Sequence, residues 1–172
     1  INIRAGITYG GQPVGKAIGP ALEAREALSA LIDPNLASMS LLSKASSLAG
    51  ILLETAGLVP SNTGYDASMS NILNGKSYNK MKQIIAEQGG NPEIKPDQIP
   101  VGSYRHEFKA DNDGYITLVD NESIVRIAKA AGAPVERGSG IILHQKQGYK
   151  VKKGDTLFEI YSDKSSKLSE AV

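Results

Sequence analysis

The sequence predicts an α/β plus α+β protein, and three observations carry that expectation. A short β-branched run passes through a glycine- and proline-rich loop into a helical pattern, a long apolar helix follows, and a proline-spaced break then gives way to alternating apolar and polar residues. The 172 residues fit one domain or two small ones, and 41% hydrophobic with 22% charged residues is the composition of a folded globular chain. A net charge of +1 supplies no global field for nucleic acid or an anionic membrane, so neither is expected as a partner. Zero cysteines exclude disulfides, cysteine zinc sites and thiol catalysis. No apolar run approaches the roughly 20 residues of a membrane span and no secretory leader is visible, so a cytoplasmic protein is expected. The chain opens on Ile1 and runs at once into a strand pattern, which predicts a piece cut from something longer.

Residues Ile3 to Tyr9 read as a strand entering the loop Gly10-Gly11-Gln12-Pro13-Val14-Gly15-Lys16, and a helix is expected directly after it. Pro20 suits a first helical turn, Ala24, Leu28 and Leu31 recur at helical spacing, Asp33-Pro34 ends the run, and Glu23, Arg25 and Glu26 are left facing solvent. From Leu36 to Ala56 two adjacent apolar stripes, Leu41/Ala45/Leu48/Leu52 and Leu42/Ala49/Leu53/Ala56, predict a buried helix with Gly57 as its left-handed terminator. Two shorter helices follow, Ala67 to Asn74 before Gly75, and Ser77 to Gln88, capped by Ser77 and stopped by Gly89-Gly90.

Prolines at 92, 96 and 100 interrupt all periodicity, which sets the expected division: residues 1–92, a linker at 93–103, and a module at 104–172. In the module, Tyr104, His106, Phe108 and Ala110 alternate with Arg105, Glu107 and Lys109. The turn Asp111-Asn112-Asp113-Gly114 then predicts a hairpin into Tyr115 to Val119. A helix over Asn121 to Ala131 ends at Gly132, and strands at Gly140 to Lys146 and Thr156 to Tyr161 accompany the turn Lys152-Lys153-Gly154-Asp155.

Gly10, four residues, then Gly15-Lys16 matches a phosphate-binding loop in all but its last letter. Ala17 lacks the hydroxyl that holds Mg²⁺ and Pro13 lacks an N–H, so the loop is read as a strand-to-helix connection, or at most one beside an anion site. The run Gly148 to Ile160, followed by Asp163-Lys164, resembles half of the biotinyl and lipoyl carrier motif, in which Lys164 would be the modified lysine. Lys164, Leu168 and Ala171 equally fit an amphipathic helix opened by Ser162 or Asp163. His106 and His144 form no triad and no metal site. Asp111 with Asp113 and Glu23 with Glu26 read as turn chemistry and a solvated helix face, and Lys150, Lys152 and Lys153 as a patch that keeps a turn soluble.

Several stretches together resemble the pyrimidine-nucleoside phosphorylase family, in particular its archaeal thymidine/AMP phosphorylase branch. They are Gly11-Gln12-Pro13-Val14-Gly15 through Ile18 to Ala27, the helix Ser47 to Glu54, and Lys80 to Pro92 with its Gln88-Gly89-Gly90-Asn91-Pro92 end. Ala110 to Tyr115, Ala130-Ala131-Gly132-Ala133 and Val151 to Ile160 continue the likeness through the second half. The resemblance implies that 1–92 is the C-terminal part of a large α/β phosphorylase domain and 104–172 a barrel-sandwich (α/β-hammerhead type) domain. It further implies phosphorolysis of AMP or thymidine to free base and a sugar 1-phosphate, with inorganic phosphate as co-substrate, no other cofactor, no metal, and a dimer or other homo-oligomer. The family's phosphate and catalytic motifs match no stretch here, so no catalytic residue is assigned and the chain alone is expected to be inactive. Gln12 and Gly15 are the candidates for the substrate cleft, because their loop is expected at a strand end where α/β sheets bind ligands. A carrier domain and a purely structural interaction module are the alternatives. A sheet lacking its earlier strands would leave apolar surface exposed on the first half.

Overall fold

A computed structural model describes residues 2–172; the reading of Ile1 lies outside them. The chain divides into two units, one made of the residues up to Tyr9 with Ala27–Pro96, the other of Gly10–Glu26 with Asp97–Val172. Residues 10–26, on the N-terminal side of the expected linker, therefore group with the chain that follows it.

The first unit is helical among its described residues. After the end of α1 (Pro20–Ile32) and a 3₁₀ turn at Pro34–Leu36 come α2 (Met39–Thr55), α3 (Gly64–Leu73) and α4 (Lys76–Glu87). Ser38 starts α2 by accepting from the Leu41 N–H, and Gly57, at φ 69°, ends it in a Schellman turn, with the Leu58 N–H reaching the Leu53 carbonyl at 3.0 Å. The same turn closes α4 at Gly89, φ 77°, where the Gly90 N–H reaches the Ile85 carbonyl at 2.8 Å. The cap of α4 is Gly75, not the expected Ser77, because the helix begins one residue earlier at Lys76. Gly50 of α2 and Gly64 of α3 meet backbone to backbone, and Ala30, Leu42 and Ile72 form the small core beside them.

Two expectations for this half are corrected. Ile3 to Tyr9 is no strand: a strand needs a ladder partner, and this segment is exposed, with Arg4 paired to Glu54 at 3.3 Å and the Tyr9 carbonyl accepting from Lys44 at 2.6 Å. The long apolar helix buries only Leu42, Ser46 and Gly50, while Leu48 and Leu52 remain exposed. Exposed Ile3, Ile7, Leu36, Met39 and Leu58 join them as the expected apolar surface.

The second unit packs two helices on a four-stranded antiparallel sheet of order β1-β4-β6-β2, with β1 Ala17–Ile18, β2 Tyr104–Lys109, β4 Gly140–Leu143 and β6 Thr156–Ser162. A two-stranded ribbon pairs β3 (Gly114–Tyr115) with β5 (Lys150–Val151). α5 (Asn121–Ala130) starts at Asp120, whose carboxylate accepts from the Ser123 N–H, and stops at Gly132, φ 117°. With α6 (Ser165–Ala171) it covers a core of Ile124, Ala128, Ala131, Ile141, Leu143 and Ile160. Burying this apolar surface is the main source of the unit's stability.

The predicted hairpin between β2 and the following run does not form. Ala110 instead bonds across to Asp155 and Gly154, β2 pairs with β6, and β3 turns to β5. Every pairing is antiparallel, so the chain shows α+β architecture without a parallel α/β sheet among the described residues.

Candidate functional site

The glycine loop does not lead straight into a helix. β1 intervenes, and α1 begins only at Pro20, so the helix N-terminus is displaced from Gly15-Lys16. The anion place of the loop is filled from within: the Glu26 carboxylate accepts from the Lys16 N–H at 2.8 Å and from the Ala17 N–H at 3.0 Å. A side chain at Gly15 would displace that carboxylate from the loop amides. One turn earlier Glu23 accepts from the Gly19 N–H at 2.9 Å, and Arg25 donates to the Ile99 and Asp97 carbonyls at 2.7 and 3.2 Å. Glu23 is exposed as expected, Arg25 and Glu26 only partly so, and all three close loops, since N–H and carbonyl groups left by a turn must find partners.

The loop is also gripped from the C-terminal side. Lys146, 4% exposed, donates its ammonium to the Pro13 and Val14 carbonyls at 2.8 and 2.6 Å. Burial pulls its pKa below the ordinary lysine value, against the raising effect of nearby Glu26. Gln12 accepts from the Gln147 N–H at 3.1 Å, and Asn121 donates to the Gly10 carbonyl at 2.6 Å. The structure therefore brings the candidates Gln12 and Gly15 into one clasped loop and adds Lys146 and Asn121, which the sequence did not single out, and Glu26, which it placed on a solvated helix face.

The other candidates are dispersed. His106 stands on β2, its ring edge-on to Phe108 at 4.8 Å. His144 follows β4 with its Nε2 3.1 Å from Glu159, unaligned for a hydrogen bond, while Tyr161 donates to the other Glu159 oxygen at 2.6 Å. Burial, then the bond to Glu159, raises the Tyr161 pKa. Asp113 accepts from the Lys153 N–H at 2.8 Å, so it ties its own turn to the turn forty positions later and not only the local one expected of it. No group of metal-ligating side chains occurs among the described residues.

Lys164 sits at the N-cap of α6, not at a hairpin tip, and its ammonium lies 2.7 Å from Glu136, which Lys167 also reaches at 2.9 Å. Hydrogen bonds from Lys164 and Lys167 hold the Glu136 carboxyl below its ordinary pKa, and the same contact raises that of Lys164. Lys164 thus stands at a helix start beside an exposed ion pair, where the carrier motif would put its lysine on a hairpin tip.

Residues 115–172 match the pyrimidine nucleoside phosphorylase C-terminal domain. Over 170 residues, 99% of this chain, the sequence is 49% identical to the AMP phosphorylase of Thermococcus kodakarensis and 48% identical to that of Pyrococcus horikoshii. The AMP phosphorylase of Methanosarcina acetivorans is 45% identical over the whole chain. The chain is thus similar along its whole length to AMP phosphorylases, and its residues 115–172 to the C-terminal domain of pyrimidine nucleoside phosphorylases. It spans about a third of the length of these curated relatives, 34% in each case. No helix is long and apolar enough to cross a membrane.

Proposed function

We propose that this chain is the C-terminal part of a pentosyltransferase that cleaves AMP, or another nucleoside 5′-monophosphate, with inorganic phosphate. A phosphate oxygen bonds to C1′ as the C1′–N bond to the base breaks; adenine leaves with a proton and ribose 1,5-bisphosphate is formed. Such a reaction requires a phosphate cradle and donors to the departing base, each aimed at charge that develops in the transition state. Inorganic phosphate is the co-substrate and no cofactor is required. The single observation that carries the reading is near-half identity along 99% of the chain to relatives named AMP phosphorylase.

In this reading 1–92 ends the large catalytic domain, 93–103 links, and 104–172 is a barrel-sandwich-type domain, supported by the family match at 115–172. Gln12 and Gly15 border the substrate cleft, and the C-terminal module acts by fixing their loop through Lys146, Gln147 and Asn121. The enzyme works in the cytoplasm as a homo-oligomer. Thymidine is the competing substrate. Chromatography of phosphate-dependent base release from AMP and from thymidine, by this chain and by the complete polypeptide side by side, decides between them. Adenine release by the complete polypeptide alone is the expected result. Preference for thymidine overturns the substrate, and base release by neither overturns the reading.

A further inference from the structure

The clasp on the loop at residues 10–16 leaves hydrogen-bond donors over, and they sit on Gln12. This half-buried side chain gives the C-terminal module only its oxygen, which accepts from the Gln147 N–H at 3.1 Å. A backbone N–H can only donate, so it selects the carboxamide oxygen and fixes which way the group is turned. The two N–H bonds of the Gln12 Nε2 are thereby directed away from Gln147, and no described residue accepts from them.

The charge around these donors suits an anion. Lys146 lies within electrostatic range of Lys16 and Glu26, so two ammoniums stand against one carboxylate. That carboxylate is taken up by the Lys16 and Ala17 N–H groups, and the Lys146 ammonium by the Pro13 and Val14 carbonyls. Lys16 is exposed, and its ammonium has no partner among the described residues. An oriented carboxamide donor and an unpaired point charge on one short loop match a phosphate group, which accepts several hydrogen bonds and carries negative charge. The ring nitrogens of a base would use the donors and leave the charge idle.

On the basis of the proposed phosphorolysis, we propose that Gln12 and Lys16 bind a phosphate group at the edge of the substrate cleft, the Gln12 carboxamide donating to a phosphate oxygen and the Gln147 amide positioning that carboxamide. Two sources share this chemistry, the 5′-phosphate of the nucleotide and the attacking inorganic phosphate.

Q12E separates the two sides of the residue, because it keeps an oxygen for the Gln147 N–H and replaces the donors with a negatively charged acceptor. In this chain, amide exchange at Gln147 is expected to change by less than about twofold. In the complete polypeptide, the KM for AMP or for inorganic phosphate is expected to rise about tenfold or more, as for a lost bond to a charged group, with kcat changed by less than about threefold. K16M, at an exposed side chain, is expected to raise the same KM by about threefold or more. A rise for AMP assigns the 5′-phosphate, and inhibition by ribose 5-phosphate, which keeps that phosphate and lacks the base, weakens with it. A rise for inorganic phosphate assigns the attacking group. Q12E with the Gln147 amide still protected and both KM values unchanged overturns the proposal. So does a rise for AMP that ribose 5-phosphate does not share, because the contact is then to the base. If Q12E loosens the loop, K16M decides, and unchanged KM values in K16M overturn the proposal. Base release by the unaltered polypeptide alongside any of these results leaves the phosphorylase reading intact; its absence overturns that reading and this inference with it.

Discussion

Lys146 is the side chain whose removal reports most directly on the clasped loop. Its ammonium donates to Pro13 and Val14 and is itself nearly inaccessible, so K146A removes charge-assisted bonds together with the cost of burying the charge. Those terms offset each other in global stability but not locally. The amides of Gln12, Val14 and Gly15 are expected to exchange about tenfold faster or more, as for a lost bond of roughly 1.5–3 kcal/mol, while the melting temperature changes little. Unchanged exchange would mean that Glu26, Gln147 and Asn121 hold the loop without Lys146. Glu136 carries the matching pH prediction. Its folded pKa is depressed by Lys164 and Lys167, so its contribution is complete above the ordinary glutamate pKa of about 4.3 and is lost as pH falls through and below that value. Protection of the α6 amides should fade over that acid range in the native chain and be independent of it in E136Q.

At the scale of elements, the closest approach in the first unit is the crossing of α2 and α3. A Cβ on Gly50 would stand 2.5 Å from the Gly64 carbonyl carbon and the Tyr65 nitrogen, backbone atoms that cannot turn aside. G50A is therefore expected to cost about 1–3 kcal/mol or more by forcing the helices apart. G57A, with open space around it but a left-handed backbone, should cost about 1–2 kcal/mol, read from urea midpoints of the two variants. This contrast also marks what the sequence could reveal. Gly57, Gly89 and Gly132 announce helix ends by local chemistry, and the apolar stripe of the expected helix Asn121 to Ala131 locates α5 to within a residue, though that expectation does not include its cap Asp120. Gly50 looks like any small residue inside an apolar helix, because its reason lies on another helix. The turn Asp111 to Gly114 has the composition of a hairpin, yet β2 finds β6 some fifty positions away, and no local signal distinguishes those outcomes. The loop at Gly10 was legible as a loop; that Glu26 fills it and Lys146 grips it depends on partners the spacing does not reveal.

On the scale of the whole molecule, the two units are held together internally by cores of different size. The first relies on Ala30, Leu42 and Ile72 with half-buried Leu41 and Met69, while the second packs Ile141, Leu143 and Ile160 at 2% exposure or less between sheet and helices. Burial of apolar area dominates stability, and each unit's share of it is unequal. The helical unit is thus expected to open first, with α3 and α4 amides exchanging well before those of β4 and β6 and an early phase in urea unfolding. Single substitutions assign the phases. G50A should lower the midpoint of the early phase alone, and I160A, at about 2–5 kcal/mol for a fully buried isoleucine, that of the late phase alone. Were both variants to shift one common transition by comparable amounts, the two units would unfold as one cooperative whole and the expected order of opening would be overturned.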